Sequence, residues 1–112
     1  MNSKIPRINN ILQKEISYIL ANEVKDNNIK NLSVTAVKTS SDLSYAKVYV
    51  FLLNEEYKKV TLLSLKKAKG FIRKALAERV ELRHIPELEF VYDESIDYGQ
   101  NIENILNKIN RS

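Results

Sequence analysis

The amino-acid sequence predicts an α+β fold in which helices cover one face of a three-stranded β-sheet. Two segments with strand character, residues 32–39 and 45–53, are separated only by a short polar link. A long stretch with helical periodicity follows from residue 57 to residue 83, and a third strand pattern begins after Pro86. Helical patterns also occupy both ends of the chain, which completes the mixed order of elements.

Residues 5–24 are predicted to form the first helix, because their apolar side chains recur at spacings of three and four. The members of this stripe are Ile5, Ile8, Leu12, Ile16, Ile19 and Leu20. The polar residues 25–31 contain turn-forming asparagines, and we expect them to form a connector.

The next two segments are predicted to pair as an antiparallel hairpin. Residues 32–39 alternate between two faces, with Val34 on one face and Val37 on the other. Residues 45–53 are rich in β-branched and aromatic side chains, which favour a strand. The link between the two segments carries Asp42 among serines, a composition typical of a turn, and its shortness predicts a hairpin.

The helical stretch from residue 57 to residue 83 is long for a single helix in so small a domain, and Gly70 stands near its middle. A glycine in a helix interior costs about 1 kcal/mol relative to alanine. We therefore expect a break or kink at Gly70, with one helix over residues 58–69 and another over residues 71–83.

Pro86 is expected to end the second of these helices, because the residue before a proline disfavours α geometry. Residues 88–92 have the alternation of a strand and are predicted to be the third strand of the sheet. Residues 97–111 carry a last apolar stripe and are predicted to form an additional C-terminal helix. The predicted order is α-β-β-α-α-β-α, whose first six elements are those of a type II KH domain.

The composition predicts one domain, residues 1–112, without disulfides or thiolate metal sites, because cysteine is absent. Two glycines are too few for a nucleotide-binding loop, and the single histidine, His84, has no partners at metal-ligand or catalytic spacing. We therefore expect neither an enzyme nor a cofactor. No apolar run approaches the ~18 residues that span a membrane and no signal peptide is visible, which predicts a soluble cytoplasmic protein.

Positive charge is concentrated in one part of the chain. Between Lys58 and Arg83 there are nine basic and two acidic residues, a local balance of +7, whereas the whole chain has a net charge of +4. Such asymmetry favours a polyanionic partner for one face, although a run of charge is also typical of an ordinary solvated helix.

Three stretches together resemble the ribosome-binding factor A family. They read Ser-Asp-Leu-Ser-Tyr-Ala-Lys-Val-Tyr-Val at residues 41–50, Ala-Lys-Gly-Phe-Ile-Arg at residues 68–73 and Leu-Arg-His-Ile-Pro-Glu-Leu-Glu-Phe at residues 82–90. The resemblance implies a KH type II fold in which a kink between two helices replaces the usual Gly-x-x-Gly loop. The kink would comprise Ala68, Lys69 and Gly70. The chain departs from the family pattern at Asn27-Asn28, where Pro-Arg is usual.

The resemblance also implies a function. Members of the family bind the free 30S ribosomal subunit, contact its 16S rRNA and assist late subunit maturation and rRNA processing, especially in the cold. We accordingly expect this chain to be a monomeric RNA-binding protein in ribosome biogenesis, with the small subunit as its partner. No membrane and no small-molecule substrate is expected.

A KH-like fold clamps a nucleic-acid backbone where two helices meet. A helix starting at Gly70 would present unpaired N–H groups and the positive end of its dipole to phosphate, and glycine allows close approach. Arg73 is the favoured side-chain contact, because a guanidinium binds phosphate with two parallel hydrogen bonds. The candidate RNA-binding residues are Lys66, Lys69, Gly70, Arg73, Lys74, Arg79, Arg83 and Arg7.

Two other functions fit the same residues. The chain could be a general single-stranded RNA-binding KH protein, although the missing second glycine of the Gly-x-x-Gly loop argues against this interpretation. Its basic face could instead dock an acidic protein partner. Binding that depends little on salt would favour that second alternative.

Overall fold

The computed structural model describes residues 4–29 and 31–95, over which the element order is α-β-β-α-β. The elements are helix α1 (Lys4–Asn22), strands β1 (Leu32–Thr39) and β2 (Tyr45–Leu52), a 3₁₀ turn (Glu55–Tyr57), helix α2 (Lys58–Arg79) and strand β3 (Glu87–Tyr92). The α+β class and the three-stranded sheet are therefore confirmed. The C-terminal helix predicted over residues 97–111 lies outside the described residues.

The sheet is mixed, with the strand order β1-β2-β3. Strands β1 and β2 pair antiparallel, as predicted for the hairpin, and Val37 lies opposite Val48. Strands β2 and β3 pair parallel, and Val48 lies opposite Phe90. Parallel neighbours need a long crossover connection, and α2 provides it. Helix α2 is therefore the crossover helix that connects the parallel strands β2 and β3.

The hydrophobic core lies between the two helices and one face of the sheet. Helix α1 contributes Ile8, Leu12, Ile16, Ile19 and Leu20, all members of its predicted apolar stripe. Strand β2 contributes Ala46, Val48 and Val50, and α2 contributes Leu65, Ile72, Ala75 and Leu76. Neither of the described helices is long and apolar enough to cross a membrane.

Strand β1 contains a β-bulge between Val34 and Ala36 that the sequence did not predict. The extra residue changes the alternation, so that Val37 is buried in the core on the side to which Val34 also packs. The Thr35 hydroxyl donates a hydrogen bond of 2.6 Å to the Asp93 carboxylate. Burial alone would raise the pKa of Asp93, but hydrogen bonds from Ser95 and Thr35 lower it overall. The bulge is thus fixed by a residue beyond the end of β3.

The turn of the β1–β2 hairpin is held by the Asp42 carboxylate. This carboxylate accepts hydrogen bonds from the hydroxyls of Ser40 and Ser44 and from the Ser44 N–H. These bonds lower the pKa of Asp42 from 3.8 to about 2. Leu43 beside it has a φ of 63°, a left-handed conformation that is unfavourable for a side chain of this size. The hydrogen bonds to Asp42 keep the chain in this strained turn.

Helix α2 runs without interruption from Lys58 to Arg79, so the predicted break into two helices at Ala68, Lys69 and Gly70 is wrong. A kink of the continuous helix at these residues stays a prediction. Gly70 lies on the exposed side of the helix. Its local cost of about 1 kcal/mol is smaller than the stabilisation from the apolar side chains buried on the opposite side. Each such side chain contributes about 1.5–3 kcal/mol when fully buried.

Helix α2 also ends earlier than predicted, at Arg79 rather than Arg83. Val80 is extended, with φ −121° and ψ 147°. Leu82 and Ile85 are packed against the core. The residues between α2 and β3 therefore cross the end of the domain as an irregular segment, not as a helix.

Candidate nucleic-acid interface

One side of α2 carries a concentration of exposed lysines. The side chains of Leu65, Ile72 and Leu76 face the core, and the opposite side of the helix is open to solvent. Exposed on it are Lys66, Lys67, Gly70 and Lys74, which together we call the lysine face. Spacings of three and four residues make these positions neighbours on the helix surface.

The lysine face has no acid among its sequence neighbours, because no Asp or Glu occurs between Glu56 and Glu78. Within residues 4–29 and 31–95, Lys66, Lys67 and Lys74 make no ion pair. A group of unpaired cations in this arrangement attracts a polyanion and is weakened by salt. The geometry therefore suits a phosphate backbone.

Gly70 lies between Lys67 and Lys74 on this surface. A Cβ atom built at this position would meet nothing within 4 Å, so the position is open to solvent. Because α2 is continuous, no helix begins at Gly70, and the expected pocket of unpaired N–H groups is absent from this part of the described chain. What Gly70 offers is a bare Cα that a partner can approach closely.

Arg73 turns away from the lysine face toward the segment that precedes β3. Its Nε donates to the Pro86 carbonyl at 3.2 Å, and its Nη2 donates to the Ile85 carbonyl at 2.8 Å. Nη1 lies 3.5 Å from the Glu87 carboxylate, which Lys69 also approaches at 3.5 Å. The guanidinium is thus engaged within the domain. Its predicted role as the main phosphate contact stays untested, and its structural role is evident.

Arg79 lies against α1. Its Nε donates to the Glu15 carboxylate at 2.6 Å, and its Nη1 is 3.9 Å from Glu23. The guanidinium also stacks over the Tyr18 ring at 4.1 Å from the centroid. The hydrogen bond to Glu15 is the main reason why the pKa of Arg79 is raised. This arginine joins the two helices, and its neutralised charge adds little to an anion-binding surface.

The remaining predicted residues lie elsewhere. Arg7 is exposed on α1, Arg83 is exposed in the segment between α2 and β3, and Ala68 is half-buried against the core. Arg83 and Arg73 line a cavity of about 510 Å³ beside the hairpin turn. Of the eight predicted contacts, Lys66, Gly70 and Lys74 are brought together on the lysine face.

Sequence reasoning expected Lys67 to widen the basic edge around Gly70, but it left Phe71, which borders the lysine face, out of the candidate set. Phe71 is a large apolar residue, yet it is 52% exposed. The spacing offers a signal, since Lys67 precedes Phe71 by one helical turn and Lys74 follows it by nearly another. An aromatic residue placed between cations is a composition that nucleic-acid surfaces favour.

Comparison with known proteins identifies the family. A family model described as ribosome-binding factor A matches residues 4–106. Ribosome-binding factor A of Macrococcus caseolyticus is 45% identical over 112 residues, which cover 99% of this chain and 98% of that relative.

Solved structures agree with this result. The crystal structure of ribosome-binding factor A from Thermus thermophilus has a TM-score of 0.71 at 31% identity, covering 79% of this chain and 94% of that one. A Thermus thermophilus homology model fitted into a cryo-electron-microscopy map of a 30S–RbfA complex has a TM-score of 0.67 at 31% identity, with coverage of 79% and 93%. The chain therefore belongs to the ribosome-binding factor A family.

Proposed function

We propose that this chain binds the free 30S ribosomal subunit through 16S rRNA and that the lysine face of α2 is its main contact. The observation that carries the proposal is the exposed group of Lys66, Lys67 and Lys74 on one side of a continuous helix, none of which makes an ion pair within the described residues. Membership of a family with a relative fitted into a 30S complex supports the same partner.

The proposed contact is an electrostatic attraction between lysine side chains and RNA phosphates. Each lysine that neutralises a phosphate releases condensed counterions, so the affinity falls as salt rises. Gly70 allows the sugar–phosphate backbone to come closer to the helix than a side chain would permit. Arg73 and Arg79 stabilise the fold through their contacts with the segment before β3 and with α1, and the proposed binding does not require them to contact RNA.

In the proposed role the protein acts by differential binding and performs no covalent chemistry. A ligand shifts a conformational equilibrium only by its difference in affinity for the two states. Preference for one late conformation of the small-subunit RNA would favour maturation and rRNA processing, and this help would matter most in the cold, where RNA rearranges slowly. The protein would act as a cytoplasmic monomer with a KH-like RNA-binding domain.

Co-sedimentation with isolated small subunits, large subunits and joined ribosomes tests the proposal. We expect binding to the free small subunit only, weakening as salt rises. Equal binding to all three particles would indicate a general RNA binder. Binding that persists at high salt and after nuclease treatment would indicate a protein partner.

Charge reversal locates the contact on the protein. Lys67→Glu combined with Lys74→Glu should abolish co-sedimentation, because two repulsive carboxylates replace two phosphate contacts. The matched control is Lys14→Glu with Lys25→Glu, which alters the net charge equally at exposed positions outside α2. Equal loss in both variants would show that only net charge matters and would refute the assignment to the lysine face.

A further inference from the structure

Phosphate binding leaves the exposed apolar residues of α2 unexplained, and Phe71, the aromatic one among Val60, Leu63 and Phe71, lies nearest to Gly70 in the sequence. Phe71 is 52% exposed, although buried apolar residues such as Ile72 lie beside it in the sequence. Full burial of a phenylalanine would contribute about 1.5–3 kcal/mol, so an exposed ring forgoes this stabilisation. A lysine would extend the charge of the surface, whereas a phenylalanine adds an apolar, planar group.

The neighbours of Phe71 define what can approach it. On an α-helix, residues three or four positions apart lie side by side, which places Lys67 and Lys74 on either side of the ring. Lys67 and Lys74 are separated by about 10 Å along the axis, from a rise of 1.5 Å per residue. Gly70, directly before the ring, has no side chain to obstruct an approaching strand.

We infer that Phe71 stacks on an unpaired nucleobase of the RNA, while Lys67 and Lys74 hold the phosphates on its two sides. This inference rests on the proposed function and specifies the form of the RNA. Bases within an A-form duplex are stacked on each other, and their deep groove is closed to side chains. Except at the end of a duplex, an aromatic ring can stack only on a base that has left the helix. The contacted segment is therefore a single strand, a loop, a bulge or a helix end.

The alternative for an exposed phenylalanine is an apolar anchor in a protein interface. The surroundings argue against it, because the ring is flanked by lysines and cores of protein interfaces are depleted in charge and in lysine. The two explanations also require different properties of the side chain. Stacking needs a flat π face of any size, whereas a protein pocket needs a fixed apolar volume.

Substitutions at Phe71 separate these requirements, with affinity for small subunits and for their protein-free RNA as the readout. Phe71→Leu keeps the apolar volume but loses the π face, and we expect affinity roughly tenfold weaker. Phe71→Trp should bind at least as tightly as the unaltered chain. Neither variant changes charge, so the dependence of affinity on salt should stay the same. The control is Ile11→Ala, which alters a 43% exposed apolar residue on α1 and should change nothing.

Fluorescence gives a direct signal, because the chain contains no tryptophan. Phe71→Trp places a single indole at the site, and its emission should be quenched by a single-stranded oligonucleotide and far less by the matching duplex. Ile11→Trp should respond to neither. Wild-type affinity in Phe71→Leu, loss of affinity in Phe71→Trp, or equal quenching by both RNAs would overturn the inference. The proposed function fails separately, if the Lys67→Glu, Lys74→Glu variant binds small subunits normally.

Discussion

Replacing Gly70 by alanine should make the protein more stable and a weaker binder. Gly70 lies in the interior of α2, where glycine is about 0.8–1 kcal/mol less favourable than alanine. The added Cβ meets no atom within 4 Å, and the φ of this residue is not positive, so no strain offsets the gain. We expect Gly70→Ala to raise the free energy of unfolding by about 1 kcal/mol.

Thermal and urea unfolding measure the first effect. For a domain of about this size, 1 kcal/mol corresponds to a rise in Tm of roughly 4 °C. In urea the midpoint should increase while the m-value stays constant. A lower Tm would refute the description of Gly70 as an unstrained helical residue.

Co-sedimentation with small subunits measures the second effect. The methyl group would stand where the RNA backbone is proposed to approach, at a cost of about 1 kcal/mol, or about fivefold in affinity. The control is Asn10→Ala, which replaces an exposed residue in α1 and stabilises its helix without altering the lysine face. Unchanged affinity in Gly70→Ala would refute the proposed close approach at this position.

Three further outcomes follow from contacts within the domain. Arg73→Ala removes both hydrogen bonds to the segment before β3 and should lower the free energy of unfolding by about 2 kcal/mol. The control, Lys74→Ala, alters an exposed neighbour and should change the free energy of unfolding by less than about 0.5 kcal/mol. Equal urea midpoints for the two variants would contradict the structural role of Arg73. The pKa of Asp42 is lowered to about 2, so its contribution to stability is complete above pH 4 and is lost as the pH falls toward 2. Asp42→Asn should therefore lose less stability between pH 5 and pH 2.5 than the unaltered chain, and parallel acid-unfolding curves would show that the carboxylate is unimportant. Asp93→Asn should likewise flatten the acid dependence, because the pKa of Asp93 is also lowered in the folded state.

The elements that sequence periodicity predicted well are those whose stability comes from a regular apolar pattern. Helix α1 and strand β2 are of this kind, and their boundaries agree with the prediction within two residues. Helix α2 was divided in error, because the cost of Gly70 is visible locally while the burial of residues such as Leu65 and Ile72 depends on the assembled core. The summed stabilisation from the buried apolar side chains exceeds the cost of Gly70, so the helix stays continuous.

Strand β1 and Arg73 show a second limit of sequence reasoning. The bulge at Thr35 depends on the Asp93 carboxylate, a partner 58 residues away, so alternation alone could not place Val37 in the core. The charge of Arg73 was visible in the sequence, but its two carbonyl partners belong to an irregular segment that no local pattern predicts. Basic residues were therefore easy to find, whereas their division into fold-stabilising and exposed groups required the structure.

The salt dependence of binding reports whether the lysines on the outer side of α2 contact phosphates of the small subunit. Affinity for isolated small subunits would be measured over a series of salt concentrations for the unaltered chain, for Lys67→Gln with Lys74→Gln, and for Lys14→Gln with Lys25→Gln. Loss of two phosphate contacts should flatten the plot of log affinity against log salt by roughly 1.4–1.8 in slope. We expect this change for the α2 pair and an unaltered slope for the control pair. Parallel plots for all three proteins would refute the proposed phosphate contact.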